Sequence, residues 1–291
     1  MKKLTLLVVP AIVLVACSRP EPGAENSRTV IQNKGSDTLV NVPQAWAEAY
    51  KEVDPNTAIA VTGGGSGTGI SALINGTVDI ANASRKMKDK EVDSAKANGV
   101  TPVENVVGYD ALAVFLHPDN PAEALSFEQL KGIYGDGGEI TSWSQLGLEV
   151  PGCDSGEIVV VSRQNNSGTY VYFQDAVLGG GDFKLGTRDM HGSKDVVDLV
   201  EHTPCAIGYS GLAYATPHIK KACIGEAGSC VNPSVETAVT GDYPIARPLF
   251  MYTSGEPTGA TKAYMDWIQS DVGQCILKDK GYAPAKTVSC G

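Results

Sequence analysis

Four times along this chain, a short apolar segment runs into a turn rich in small or hydroxyl residues, and a helical pattern follows. Short apolar runs, such turns and a 3.6-residue repeat are typical of strand–turn–helix units. Because parallel strands need crossover connections, usually helices, repeated units predict an α/β fold with a largely parallel sheet. The four turns are residues 36–38 (SDT), 66–68 (SGT), 84–85 (SR) and 163–169 (RQNNSGT).

These turns combine the features of a small anion site. A helix N-terminus presents unpaired N–H donors, and a serine or threonine there can cap the helix or donate to an anion. In open α/β sheets, ligands lie beyond the carboxyl ends of the strands, where such turns gather. Two of the turns add an arginine, Arg85 and Arg163. Together they predict an oxyanion site, although each hydroxyl alone could be an ordinary helix cap and each arginine a surface ion pair.

Two further patterns extend the α/β prediction. Residues 103–107 and 111–116 each predict a strand, and residues 258–270 predict a closing helix. No internal repeat relates the two halves of the chain.

The glycine-rich turn, residues 63–69 (GGGSGTG), does not match other phosphate or nucleophile motifs. A nucleotide-binding P-loop needs a lysine after its last glycine, but Ile70 and Ser71 follow here. The G-x-S-x-G pattern of serine hydrolases is also absent from this turn. The cysteines form no C-x-x-C pair, and the histidines lack ligand spacing, so we predict neither a metal nor a cofactor. The histidines are His117, His191, His202 and His218.

The N-terminus predicts export. Two lysines precede an apolar run that is short for a membrane span, which is the layout of a signal peptide over residues 1–16. The run ends in LVAC and resembles a bacterial lipobox, which implies cleavage before Cys17 and lipidation of its sulfur. Residues 17–28 then predict a lipidated cysteine and a disordered tether. We expect a protein in the periplasm or at the outer cell surface, held to a bacterial membrane only by its lipid anchor.

Cysteine content and charge agree with export. Six cysteines besides Cys17 predict three disulfides in an oxidising compartment, but the sequence allows 15 pairings. A short Cys223–Cys230 loop is one candidate among them. The net charge of −10 argues against nucleic-acid binding, which needs clustered cations. The six cysteines are Cys153, Cys205, Cys223, Cys230, Cys275 and Cys290.

Several segments resemble one family, the phosphate-binding proteins of bacterial phosphate ABC importers, which have a type II periplasmic-binding-protein fold. The Arg-x-x-x-Ser-Gly-Thr element is the most specific of them, and together the segments span nearly all of the chain after residue 28. The matching segments are GSDTL (35–39), GGGSGTGI (63–70), VDIANASR (78–85), SRQNNSGT (162–169), YDALAVFLHPDNP (109–121), ITSWSQLG (140–147), AIGYSGLAY (206–214), YPIARPLFMYT (243–253) and GQCILKDKGYAP (273–284).

The resemblance implies two lobes, each a mostly parallel sheet flanked by helices, closing on one phosphate ion by hinge bending. It places residues 29–110 and 240–291 in lobe I and residues 111–239 in lobe II. It also implies a monomeric receptor, not an enzyme, that delivers phosphate to the permease subunits of an ABC importer. Carried over by position, the phosphate-binding residues are Asp37, Thr38, Ser66, Ser84, Arg163, Ser167, Gly168 and Thr169, with Arg85 as a second candidate cation or as the partner of a carboxylate.

One position departs from the family pattern. Where much of the family has an aspartate that accepts the proton of bound phosphate, this chain has Ser84. A buried acceptor excludes fully ionised sulfate, which has no proton to offer. Asp37 is the nearby substitute that the sequence offers, so we predict that Asp37 accepts this proton, with a helix cap or an Arg85 partner as its alternative roles.

Two other functions stay open from sequence alone. The first is a receptor of the same fold for another oxyanion, such as sulfate, molybdate or tungstate. The second is an exported phosphatase-like enzyme with Ser66 or Ser167 as nucleophile, although neither serine has a histidine nearby in sequence.

Overall fold

The computed structural model describes residues 28–291 of the chain, so the predicted signal peptide and Cys17 lie outside the described residues. Strands and helices alternate along most of its length. The strands are β1 (Thr29–Gly35), β2 (Thr57–Thr62), β3 (Ile80–Ala83), β4 (Pro102–Leu116), β5 (Ala124–Leu125), β6 (Val159–Arg163), β7 (Arg188–Met190), β8 (Ala206–Gly211), β9 (Lys220–Lys221), β10 (Cys223–Ile224), β11 (Ala246–Ser254) and β12 (Ala283–Pro284). The helices are α1 (Asn41–Tyr50), α2 (Ser66–Ile74), α3 (Asp89–Ala97), α4 (Phe127–Tyr134), α5 (Gly168–Ala176), α6 (Ser193–Glu201), α7 (Val235–Thr240), α8 (Gly259–Ile268) and α9 (Asp271–Asp279).

One curled, mixed sheet runs through the molecule in the order β2-β1-β3-β11-β4-β8-β6-β7. Strands β1, β2 and β3 are mutually parallel at one end, and β6, β7 and β8 are parallel at the other. Between these groups, β11 and β4 run antiparallel to their neighbours. We call the part that contains β1–β3 lobe I and the part that contains β6–β8 lobe II.

Strand β4 joins the two lobes. Up to Ala111 it pairs with β11, and from Leu112 onward it pairs with β8. The sequence predicts two strands here, but the structure forms a single strand of 15 residues, because Gly108 continues the ladder opposite Leu249 instead of ending it. The predicted boundary between residues 110 and 111 lies next to this change of partner.

The apolar patterns of the strands explain why helices cover both faces. Along β4, Leu112, Val114 and Leu116 belong to one buried cluster, whereas Ala113 and Phe115 belong to another. Successive side chains of a strand point to opposite faces, so a continuous apolar run requires a layer on each side. The fold is therefore α/β, as the sequence predicts, and each face of the sheet carries a packed layer.

Helix α1 shows how a predicted periodicity becomes packing. Val42, Trp46 and Tyr50 recur at helical spacing and are buried, while Pro43 lies in the first turn, where its missing N–H costs no hydrogen bond. The indole N–H of Trp46 donates to the carbonyl oxygen of Gly273 at 2.7 Å, which ties α1 to the C-terminal helix α9.

Three disulfides form among the six cysteines, as predicted, and the short Cys223–Cys230 loop is one of them. The other two pairs are Cys153–Cys205 and Cys275–Cys290.

Within residues 28–291, no helix is both long and apolar enough to cross a membrane.

We expect the loss of each disulfide to lower the free energy of unfolding in the order of loop length. The sequence separations are 52, 15 and 7 residues, and the chain-entropy model gives about 4, 3 and 2 kcal/mol, respectively. Urea unfolding of the three paired Cys→Ser variants measures this order. A larger loss for Cys223–Cys230 than for Cys153–Cys205 would contradict it.

Candidate functional site

Three serines of lobe I meet at the carboxyl ends of its parallel strands. Ser36 follows β1, Ser66 begins α2 after β2, and Ser84 follows β3, so neighbouring strands deliver them to one edge. The amide of Ser84 donates to Ser66 Oγ at 3.0 Å, and Ser36 Oγ donates to Ser84 Oγ at 3.1 Å. All three side chains are buried. The hydroxyl cluster that the four turns predict is therefore present in lobe I.

Lobe II presents the start of helix α5 at the corresponding edge. Ser167 caps this helix, and its Oγ accepts from the amides of Thr169 and Tyr170 at 3.1 and 3.4 Å. Gly168 and Thr169 form the first turn, whose amides lack partners within the helix. Ser167 thus has the capping role that was its alternative, and its contact with a ligand stays a prediction.

The two lobes touch at these turns. Thr38 Oγ1 of lobe I lies 2.6 Å from Thr169 Oγ1 of lobe II. A Cβ atom at Gly168 would lie 2.2 Å from Ser66 Oγ, far inside contact distance, so only glycine permits this approach. The structure therefore brings together Thr38, Ser66, Ser84, Gly168 and Thr169.

Arg163 and Asp37 form a second contact between the lobes. Arg163 Nη2 donates to Asp37 Oδ2 at 3.1 Å and to the carbonyl oxygen of His191 at 2.9 Å, and Nη1 donates to Ser193 Oγ at 2.8 Å. The amide of Ser193, in the first turn of α6, donates to the same Asp37 oxygen at 2.7 Å. Burial lowers the pKa of Arg163, and the Asp37 charge opposes this.

Arg85 is engaged elsewhere in lobe I. Its two Nη atoms donate to the two carboxylate oxygens of Glu91 at 2.7 and 2.8 Å. Burial alone would raise the pKa of Glu91, but hydrogen bonds from Arg85 and the Lys88 amide outweigh burial and lower it. This geometry matches the interpretation of Arg85 as the partner of a carboxylate, and a contact with a ligand stays a prediction.

A third buried arginine, Arg247 of β11, was missed from the sequence. Its Nη2 donates to Asp110 Oδ2 at 2.8 Å and to Thr169 Oγ1 at 3.0 Å, and its Nη1 donates to the carbonyl oxygen of Ser84 at 3.2 Å. Because β11 and β4 lie between the lobes, this guanidinium reaches residues of both lobes at once.

Asp110 of β4 was also missed. Its side chain is 1% exposed, and burial raises its pKa although Arg247 pulls the pKa down. Oδ2 receives both Arg247 bonds, whereas Oδ1 accepts no well-formed hydrogen bond among residues 28–291, although the Leu212 amide is near enough to lower the pKa of the carboxyl. A buried acceptor without a partner is costly, so this oxygen marks a place where a donor is expected.

A sequence signal for both residues exists. Asp110 directly precedes the apolar run of residues 111–116, and Arg247 directly precedes PLFMY. A single charge next to a run that must be buried is informative because Asp and Arg are seldom fully buried without a partner. That signal could have nominated Asp110 and Arg247 as buried charges, although not as partners of each other.

The charges of the cluster balance. The positive charges of Arg163 and Arg247 face the negative charges of Asp37 and Asp110. An anion here would be held mainly by hydroxyl groups and helix amides, with the two guanidinium groups as charged donors.

Residues 28–291 contain no group of three or more His, Cys, Asp and Glu side chains that could hold a metal ion.

Comparisons with known proteins place the whole site inside one homologous region. A family model described as a PBP superfamily domain matches residues 22–272. The chain is 33% identical over 267 residues to the phosphate-binding protein PstS of Pseudomonas aeruginosa, covering 87% of this chain and 82% of the relative. PstS of Bacillus subtilis is 33% identical over 263 residues, covering 90% and 83%. The chain belongs to the PstS family. Every residue of the hydroxyl cluster, together with Arg163 and Arg247, lies within residues 22–272, which the family model matches.

A solved structure supports the fold of this PstS family member. A putative phosphate ABC transporter substrate-binding protein with bound phosphate, from Clostridium perfringens, superimposes with a TM-score of 0.78 at 29% identity. The superposition covers 89% of this chain and all of that one. The two-lobed α/β fold that the resemblance implies is thereby confirmed.

Proposed function

We propose that this protein binds inorganic phosphate between its lobes and serves as the extracytoplasmic solute receptor of an ABC importer. The ligand contacts are the predicted turn residues of both lobes, joined by Arg247 and Asp110. The names of the PstS relatives and the phosphate in the C. perfringens structure support this ligand.

The observation that carries the proposal is the convergence of donors from separate elements. Thr38 and Ser66 come from lobe I, Thr169 from lobe II and Arg247 from a strand between the lobes, and all are buried. A tetrahedral oxyanion offers several acceptor oxygens in different directions, which suits donors that approach from several sides. Hinge closure would place the ion in water-poor surroundings, where each hydrogen bond is stronger.

The position of the protein in the cell is a further part of the proposal. Cleavage before Cys17 and its lipidation would tether the folded part beside a bacterial membrane, where a monomer could deliver phosphate to permease subunits. The three disulfides support an oxidising compartment.

A binding role is favoured over a phosphatase-like enzyme. A serine nucleophile needs a base within hydrogen-bond reach. Among residues 28–291, Ser66 Oγ contacts Ser84, and Ser167 Oγ contacts helix amides, while the His191 ring contacts Gln164 at 3.0 Å. No histidine reaches either serine in this part of the chain.

Calorimetry of the purified protein tests the proposal and its alternatives together. We expect one phosphate ion per chain, competition by arsenate, which has the same shape and can carry a proton, and much weaker binding of sulfate. Phosphate monoesters should yield no turnover. Tight binding of sulfate, molybdate or tungstate with no uptake of phosphate would favour the other oxyanion receptors instead.

A further inference from the structure

We infer that Asn166 is a closure residue: it fastens the lobes together beside the phosphate site without touching the ligand, and so sets affinity but not selectivity. The inference rests on the proposed phosphate function. Asn166 lies in lobe II between β6 and α5, and its partners Gly64 and Gly67 lie in the glycine-rich turn of lobe I. We call this contact the clasp.

Two hydrogen bonds form the clasp. The amide of Gly67 donates to the carbonyl oxygen of Asn166 at 3.0 Å. The side-chain Nδ2 of Asn166 donates back to the carbonyl oxygen of Gly64, also at 3.0 Å. The pair is reciprocal, so each lobe supplies one donor and one acceptor.

The lobe I side of the clasp requires glycine. Gly65 has φ of +100°, and a Cβ there would lie 2.7 Å from the Asn166 carbonyl oxygen. A Cβ on Gly67 would lie 3.2 Å from the same oxygen. Residues 63–69 resemble a phosphate loop but lack its lysine. The close approach of the lobe II backbone explains part of their glycine content.

Both sides of the clasp are held in shape by their own lobes. In lobe I, the Gly65 amide donates to the carbonyl oxygen of Gly35 at 2.9 Å, and Thr68 Oγ1 donates to that of Gly65 at 3.0 Å. In lobe II, the Ser167 amide donates to the carbonyl oxygen of Gln164 at 2.9 Å and closes a turn around Asn166. Two preformed loops meet, so little ordering entropy opposes the contact.

The clasp lies close in sequence to the proposed ligand contacts on both sides. Gly64 is two residues before Ser66 and Gly67 is one residue after it, and Asn166 precedes Ser167 and Gly168. Forming the clasp therefore aligns Ser66 with the start of α5. Because apparent affinity is the intrinsic affinity multiplied by the closed fraction, a residue that stabilises closure changes the binding of every ligand by the same factor.

The test compares Asn166→Ala with the unaltered protein and with Asn165→Ala, whose side chain is exposed. Removing one hydrogen bond at closure should raise Kd for phosphate about 3- to 10-fold. Kd for arsenate should rise by the same factor, with a faster dissociation rate and one ion still bound per chain. Asn165→Ala should leave both Kd values, the dissociation rate and the number of ions bound per chain unchanged.

Other outcomes overturn the inference. An unchanged Kd in Asn166→Ala, or an equal rise in Asn165→Ala, shows that the clasp does not govern closure. A changed ratio of phosphate to arsenate affinity shows direct contact with the ligand, and a lower number of sites per chain shows a merely structural role. If the unaltered protein takes up no phosphate, the proposed function fails, and hydrogen exchange of the Gly67 amide tests the clasp instead. Faster exchange in Asn166→Ala than in the unaltered protein supports the clasp, and equal exchange overturns it.

Discussion

Replacing Arg163 with alanine should weaken phosphate binding by roughly 30-fold to several-thousand-fold, which corresponds to ~2–5 kcal/mol. The side chain is 1% exposed, and its Nη atoms hold Asp37 and Ser193 at the junction of the lobes. Under the proposed function, the variant removes a charged donor from the bound anion. It also leaves the Asp37 carboxylate without its guanidinium partner. Both effects act in the same direction, and calorimetric titration with phosphate measures their sum.

Arg188→Ala is the matched control. It removes the same charge from the same lobe, but this side chain is exposed. We expect its phosphate affinity to stay within a factor of two of the unaltered protein, because exposed charges are screened by salt. Equal losses in the two variants would show that overall charge, and not the Arg163 contact, governs binding.

Asp110→Asn should reverse much of the selectivity between phosphate and sulfate. We propose Oδ1 of Asp110, which accepts no well-formed hydrogen bond within residues 28–291, as the acceptor for a protonated phosphate oxygen. Burial raises the pKa of this carboxyl. Asparagine removes the negative charge that repels sulfate and can turn an N–H donor toward it. We expect phosphate Kd to rise about 5- to 150-fold and sulfate binding to strengthen, with competition titrations as the measurement.

Asp37→Asn makes the same change in the other carboxylate of the site. Together, the two variants decide whether Asp37 or Asp110 accepts the proton of phosphate. The sequence nominates Asp37 as the proton acceptor, but in the structure its Oδ2 already accepts from Arg163 and the Ser193 amide. We therefore expect this variant to weaken phosphate and sulfate by similar factors, through poorer closure of the lobes. A loss of selectivity in Asp37→Asn, with none in Asp110→Asn, would restore the assignment to Asp37.

The local part of the fold was predictable from sequence because it depends on short-range chemistry. Residues 36–38, 66–68 and 163–169 each combine small hydroxyl residues with the end of a strand, and each lies at or before a helix start. Hydroxyl caps and turn glycines act within three or four residues, so a linear pattern reveals them. The two-lobed fold and the phosphate-binding family were inferred from the resemblance of several segments to a known family, not from these local patterns.

The partners across the cleft were not predictable, because they depend on contacts between distant segments. Arg247 and Asp110 are separated by 137 residues, and Arg163 and Asp37 by 126. The local pattern does not show that the pairing of β4 with β11 places Arg247 beside Asp110. It also does not show that Arg85 pairs with Glu91. The antiparallel direction of these crossing strands was also hidden, since an apolar run is the same in either direction.

A crystal structure of the protein grown in inorganic phosphate tests the central claim most directly. We predict one tetrahedral ion between the lobes, with oxygens about 2.6–3.1 Å from donors of Ser66 and Ser84 in lobe I, Thr169 in lobe II, and a guanidinium nitrogen. An ion bound only on the outer surface, with Thr38 still hydrogen-bonded to Thr169 and the hydroxyl cluster unchanged, would contradict the account.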